Sequence, residues 1–223
     1  MPLHHEEAFL LAVPKTDLHV HLDGSLRETT LIELAGDRGV SLPSQTVEGL
    51  NALVFKERYA DLAEYLAGFA YTTAVLQDED ALEQVAYELA QDNLEEGVRY
   101  VEVRFAPQLH MHAGLSFDAV LLAVNRGLER ARLEHERSAG VLQRGEPPFR
   151  YGIIVCALRW FTAEFSQWYA QLCGLLQDAP ETTVFQTASL ELARAAVRCR
   201  NEHGLPIVGL SLIHISEPTR PSV

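Results

Sequence analysis

His19 and His21 stand two residues apart in Lys-Thr-Asp-Leu-His-Val-His-Leu-Asp-Gly (15–24), with Asp17 before them and Asp23 after. On a β-strand, residues at this spacing share a face, and their Cα atoms lie roughly 6.6 Å apart. Two imidazoles so placed can converge on one metal ion. Asp23 follows on the same side, and Gly24 lets the chain turn away. The same pattern also fits a half-buried strand whose polar face is simply solvated. Such a face usually carries Lys, Glu, Thr or Ser. Beyond Thr16 this one has none of them, and it ends at Gly24-Ser25.

The elements that must position these groups follow from periodicity. Leu18, Val20 and Leu22 alternate with the polar residues, which predicts a strand over 16–22 with an aliphatic second face. Ser25 and Glu28 fit a capping box at the start of a helix that ends near Gly36 or Gly39. A short helical turn is expected over 6–13. Residues 40–56 and 139–150 read as loops, because both hold Gly and Pro and few periodic positions. Further helices are expected over 61–76, 79–96, 116–138, 162–177 and 189–203. Leu62, Tyr65, Leu66, Phe69 and Thr73 form a stripe along the first of these, and most such stripes face a core. Strands are expected over 98–106 and 151–158, and a fourth from Pro206 to Leu210. The apolar run Tyr151–Leu158 suits a parallel strand covered on both faces, with Cys156 as a buried structural thiol. Arg159 closes that strand and is read as part of an ion pair behind the site. Glu102 and Arg104 share a face of the second strand and are expected to pair. The fold class is α/β.

Asp-Leu-His-Val-His-Leu-Asp-Gly-Ser-Leu-Arg (17–27) closely resembles the opening motif of the adenosine deaminase family of zinc-dependent amidohydrolase barrels. Tyr-Glu-Leu-Ala (87–90) and Gly-Val-Arg-Tyr-Val-Glu-Val-Arg-Phe-Ala-Pro (97–107) resemble the same family's second strand and the helix before it. The resemblance implies a partial TIM-like (β/α)8 barrel, comprising the first three to four strands with their helices. It implies Zn2+ as cofactor, with His19 and His21 as metal ligands. It implies a purine nucleoside as small-molecule substrate, contacted by His21, Asp23, Leu62, Tyr65, Leu66 and Phe69. Asp23 would accept a hydrogen bond from a ribose hydroxyl, and Asp17 would brace the strand or orient a ligand histidine. The implied reaction is hydrolytic deamination of adenosine and 2'-deoxyadenosine. Alternatives are a deaminase of adenine or of a modified nucleoside, and a non-catalytic amidohydrolase-like binding protein. His110-Met-His112-Ala-Gly looks like part of a later family motif, but Leu115 stands where that motif has Glu, so it is set aside.

Residues 1–210 are expected to form the N-terminal part of such a barrel. Where the family continues as Asp-Leu-Ala-Gly, this chain continues from Ser211 with two prolines and no periodicity. Residues 211–223 resemble a translated sequencing adapter and are expected to be foreign to the natural protein. His214 and Glu217 are therefore not site candidates. No residue is assigned as catalytic, since the family's later His, Asp and Glu have no counterpart, and the chain alone is expected to be inactive.

A formal charge of −13 argues against nucleic acid and against an anionic membrane surface as partners. No partner protein is evident. Cys156, Cys173 and Cys199 lack metal-site spacing, which fits a reducing compartment. The start has no signal-peptide pattern, and no apolar run approaches the about 18 residues that span a bilayer. The sequence thus reads as a cytoplasmic protein.

Overall fold

A computed structural model describes residues 9–10 and 13–213. Its centre is a parallel sheet of β1 (Lys15–His21), β2 (Val98–Phe105), β3 (Arg150–Leu158) and β4 (Ile207–Ile213). The strands pair in sequence order, each parallel to the next. A strand order that never reverses marks a singly wound arc of barrel type rather than a doubly wound sheet. Among the described residues the arc stays open at the β1 and β4 edges.

Helices fill the connections. Between β1 and β2 lie α1 (Glu28–Arg38), α2 (Val47–Leu53), α3 (Leu62–Val75) and α4 (Glu79–Glu95). Between β2 and β3 lie α5 (Phe117–Glu136) and α6 (Ala139–Arg144). Between β3 and β4 lie α7 (Gln167–Leu175) and α8 (Glu181–His203). Val101, Val103 and Phe105 of β2 and Ile153 and Val155 of β3 join one core with Leu82, Val85 and Leu89 of α4 and Val120, Val124 and Leu128 of α5. Ile154, Cys156 and Leu158, on the other face of β3, pack with Phe161 and with Tyr169 and Leu172 of α7. α4 and α5 touch so closely that a Cβ on Gly127 would lie 2.2 Å from the Glu83 carbonyl oxygen.

Several expectations change. Arg27, not Ser25, occupies the N-cap of α1, with no side-chain cap. α2 and α6 lie inside the stretches read as loops, each opened by a side chain accepting from a backbone amide, Thr46 from Gly49 and Ser138 from Val141. Six or seven residues are too few to show a helical period. α7 begins only after Ser166 caps it, and α8 begins already at Glu181. β4 spans Ile207–Ile213, past the Leu210 end expected for the fourth strand. Residues 214–223, and most of the turn expected over 6–13, lie outside the described residues. No described helix is long and apolar enough to cross a membrane.

Candidate active site

β1 does not alternate cleanly. Asp17 pairs with Val101 and Val20 with Val103, so β1 advances three residues where β2 advances two. Leu18 and His19 together oppose the single residue Glu102, which is a β-bulge, and bulges are rare in parallel pairs. Leu18 consequently leaves the aliphatic face and is 53 % exposed, while Val20 and Leu22 reach the core. Asp17, by its pairing with Val101, lies on the helix side of the sheet and does not share a face with His21.

Beyond the bulge the chain delivers its polar groups to a cleft of about 510 Å³. His19, His21 and Asp23 line one side of it. Leu62, Tyr65, Leu66 and Phe69 of α3 line the other. The stripe on α3 faces this cleft and not the core: Leu62 and Tyr65 are 54 % and 45 % exposed, and Gly68, Thr72 and Val75 are the residues buried beneath. Asp61 caps α3 by accepting from the Glu64 amide at 2.9 Å, which fixes where the stripe begins. Gly24 allows the turn after β1 to pass close to α3, since a Cβ there would meet the Phe69 ring at 3.3 Å. All seven residues singled out for metal or substrate therefore border one space.

The His19 and His21 rings lie 5.4 Å apart, centre to centre. Burial, the neighbouring His19 and the Arg104 guanidinium all lower the pKa of His21, which keeps its imidazole neutral, the state a metal requires. His21 Nδ1 is buried without a hydrogen bond and sits 3.9 Å from Asp23 Oδ1. Asp23 is only 1 % exposed, and neither carboxylate oxygen has a partner. Burial pushes its carboxyl up to about 7. Buried polar atoms are almost always hydrogen-bonded. Three orphaned atoms side by side in a cleft fit a bound cation or a hydroxyl-bearing ligand. Two imidazoles fit zinc as donor types. Among the described residues no third His, Cys, Asp or Glu joins them in a group able to hold a metal.

The sequence pattern put Arg104 in a pair with Glu102 and did not show its place at the cleft. Arg104 makes no ion pair with Glu102; it reaches across to β1, where its guanidinium donates to the Leu18 carbonyl at 2.8 Å. Glu102 accepts from the Tyr100 hydroxyl at 2.9 Å instead. The bulge explains the difference, because it frees a carbonyl on the neighbouring strand. Cys156 also lines the cleft, a place its alternate position on β3 could have suggested. Burial pushes its thiol up to about 11, so it is no nucleophile. Arg159 lies instead beside Ala157 and Leu192, in a separate depression. His110 and His112 lie elsewhere, bonded through Nδ1 to the Leu76 carbonyl and through Nε2 to the Gln77 carbonyl, each at 2.9 Å.

Residues 14–202 match the family model described as adenosine deaminase. The adenosine deaminase of Shewanella halifaxensis is 47 % identical over 122 residues, covering 54 % of this chain and 37 % of that protein. The chain thus spans well under two thirds of the length of the curated relatives it matches. Among solved structures, Arabidopsis ADAL complexed with IMP superposes with a TM-score of 0.61 at 22 % identity, covering 92 % of this chain and 51 % of that one. An amidohydrolase from Burkhoderia ambifaria with bound Zn gives 0.60 at 17 %, covering 99 % and 50 %. At such identity the two structures speak for the fold.

Proposed function

The chain belongs to the adenosine deaminase family, and on that premise we propose that its cleft is one side of the active site of a hydrolase that deaminates adenosine and 2'-deoxyadenosine. The observation that carries this is the pairing of the two adjacent imidazoles with the unpartnered Asp23 carboxylate opposite an apolar wall. His19 and His21 would hold zinc. A metal there supplies Lewis acidity that makes water nucleophilic near neutral pH. His21, held neutral, keeps a lone pair available for the ion. Asp23 accepts a ribose hydroxyl, which gives its two buried oxygens the donor they lack. Leu62, Leu66, Tyr65 and Phe69 pack on the purine and exclude water from it. Tyr65 and Phe69 stand edge to face at 5.7 Å, an arrangement aromatic pairs favour. Adenine brings no hydroxyl to Asp23, and for that reason the nucleoside is the preferred substrate.

A catalytic zinc takes about three protein ligands and an open position. The described residues offer two. The 223-residue chain by itself is therefore inactive in this reading. Two assays test it. The chain loaded with zinc should release no inosine from adenosine; turnover would overturn the two-ligand reading. A chimera that places this chain's residues 14–202 in the Shewanella halifaxensis relative should make inosine. That activity should vanish with His19→Ala or His21→Ala, and the KM for adenosine should rise with Asp23→Ala. A zinc-loaded chimera that turns over adenine and spares adenosine would refute the substrate assignment.

A further inference from the structure

β1 shifts its register with β2 twice, between Lys15 and Thr16 and again at Leu18–His19, and the second shift, the bulge, returns the histidines from the Asp17↔Val101 register to the offset that Lys15↔Val98 also has. Paired residues of a parallel ladder point to the same side. Val101, Val103 and Phe105 are wholly buried against the helices, while Arg104 lines the cleft. If β1 continued from Asp17↔Val101 without the extra residue, His19 would fall opposite Val103 and His21 opposite Phe105. Both imidazoles would then point into the apolar core, and Val20 would take the cleft position. A one-residue slip turns every later side chain over. The observed register, Val20↔Val103 and His21↔Arg104, restores the histidines to the cleft.

A bulge leaves backbone groups outside the ladder, and two side chains take up those groups. Asp17 Oδ1 accepts from the His19 amide at 2.9 Å. The Arg104 guanidinium donates to the Leu18 carbonyl at 2.8 Å, from a residue 86 positions away in sequence. One clamp is local and the other comes from the next strand. Each serves one of the two bulged residues. Neither needs to touch a metal or a substrate to do so.

We propose that Asp17 and Arg104 are positioning residues that hold the β1 bulge and thereby aim the His19–His21 pair at the cleft. The proposal rests on the metal reading of that pair only for its consequence in zinc affinity. Its structural content stands apart, since the two hydrogen bonds and the register are features of the bare chain.

The test uses the full 223-residue chain, isotope-labelled at histidine and valine, with and without zinc. Four variants separate the roles. Asp17→Ala and Arg104→Met remove the clamps. Asp17→Asn keeps an oxygen that accepts from the His19 amide but drops the charge. Arg104→Lys keeps one donor. In Asp17→Ala the His19 amide should exchange with solvent at least ~10-fold faster, and in both clamp-removing variants zinc should bind about 10-fold or more weakly, as read from the histidine ring signals. Asp17→Asn should restore both values, which a carboxylate acting as a metal ligand would not allow. Contacts between the His21 ring and the Val103 or Phe105 side chains should appear where the bulge is lost. The Val155 amide of β3 serves as the control for general unfolding and should keep its protection. Unchanged His19 exchange in Asp17→Ala together with unchanged zinc affinity in Arg104→Met overturns the proposal. If zinc shifts neither ring in the parent chain, the metal reading falls, and exchange with ring contacts still decides the bulge.

Discussion

His110 provides the sharpest test of how the fold treats its buried histidines. The side chain is completely buried, and burial depresses its pKa from 6.5 to about 4. Its Nδ1 hydrogen goes to the Leu76 carbonyl at 2.9 Å, and Nε2 has no partner. The unfolded chain takes up a proton below about pH 6.5, whereas the folded chain refuses it until about pH 4. Between those values the unfolded state binds more protons, so stability falls as pH falls. Each pH unit in the window is worth about 1.4 kcal/mol. The loss attributable to this one residue is about 2 kcal/mol at pH 5 and about 3 kcal/mol in all, with no further loss below about pH 4. His110→Asn removes the titration and keeps an N–H able to reach the Leu76 carbonyl. It opens a void and is less stable at neutral pH, so the comparison is of slopes. Urea unfolding followed by the fluorescence of Trp160 and Trp168, at several pH values from about 7.5 to about 4, gives both curves. The parent should lose stability faster than the variant by about one proton's worth across the window. Parallel curves would refute the buried, neutral state of His110.

Two further substitutions follow from the packing. Gly127→Ala should gain up to about 1 kcal/mol from helix propensity, yet its Cβ would meet the Glu83 carbonyl at 2.2 Å and the Tyr87 amide nitrogen at 2.8 Å. Backbone cannot step aside as a side chain tip can, so overpacking wins and the variant loses about 1–3 kcal/mol; a thermal melt at or above that of the parent would contradict this. Asp23→Asn should stabilise the chain increasingly as pH rises. The folded pKa of about 7 lies above the ordinary value of 3.8, so the cost of the buried charge is absent at low pH and fully present above about pH 7. Calorimetric melts at about pH 5 and about pH 8 read it, and an equal difference at both would count against the burial argument.

The local signals of the sequence were strong where an element is long or ends in a distinctive residue. β2 and β3 came out of their apolar, β-branched runs, and α3 out of the spacing of Leu62, Tyr65, Leu66 and Phe69, while the caps Asp61 and Ser116 emerged only in the structure. The residues of the cleft were legible as types: two histidines, a carboxylate and an apolar stripe. Their common orientation was not. The period-two pattern of 17–23 suggested one polar face, while the bulge divides Asp17 from His21. That bulge depends on Arg104, which lies in another strand, and no pattern within β1 can report it. The stripe on α3 misled for a similar reason. A helix shows which residues share a face, and only its neighbours decide whether that face meets a core or a cleft.

The distribution of unsatisfied groups ties these features together. Six buried side-chain atoms among the described residues lack a hydrogen-bond partner, and four of them, on His21, Asp23 and Arg104, belong to residues lining the one cleft. Were such deficits incidental, they would fall on residues scattered through the fold, as those of Arg99 and His110 do. Concentrated beside two imidazoles, they mark the place where the chain gives up stability to keep donors and acceptors free. The open apolar stripe of α3 across the cleft is the same kind of concession in hydrophobic terms, since Leu62 and Tyr65 remain half exposed where they could have been packed. A ligand with hydroxyls at one end and a flat aromatic ring at the other satisfies both at once. A metal alone satisfies only the first, and an apolar ligand only the second. On the proposed reading a nucleoside would meet both halves of the cleft, with His19, His21 and Asp23 on one side and the α3 stripe on the other.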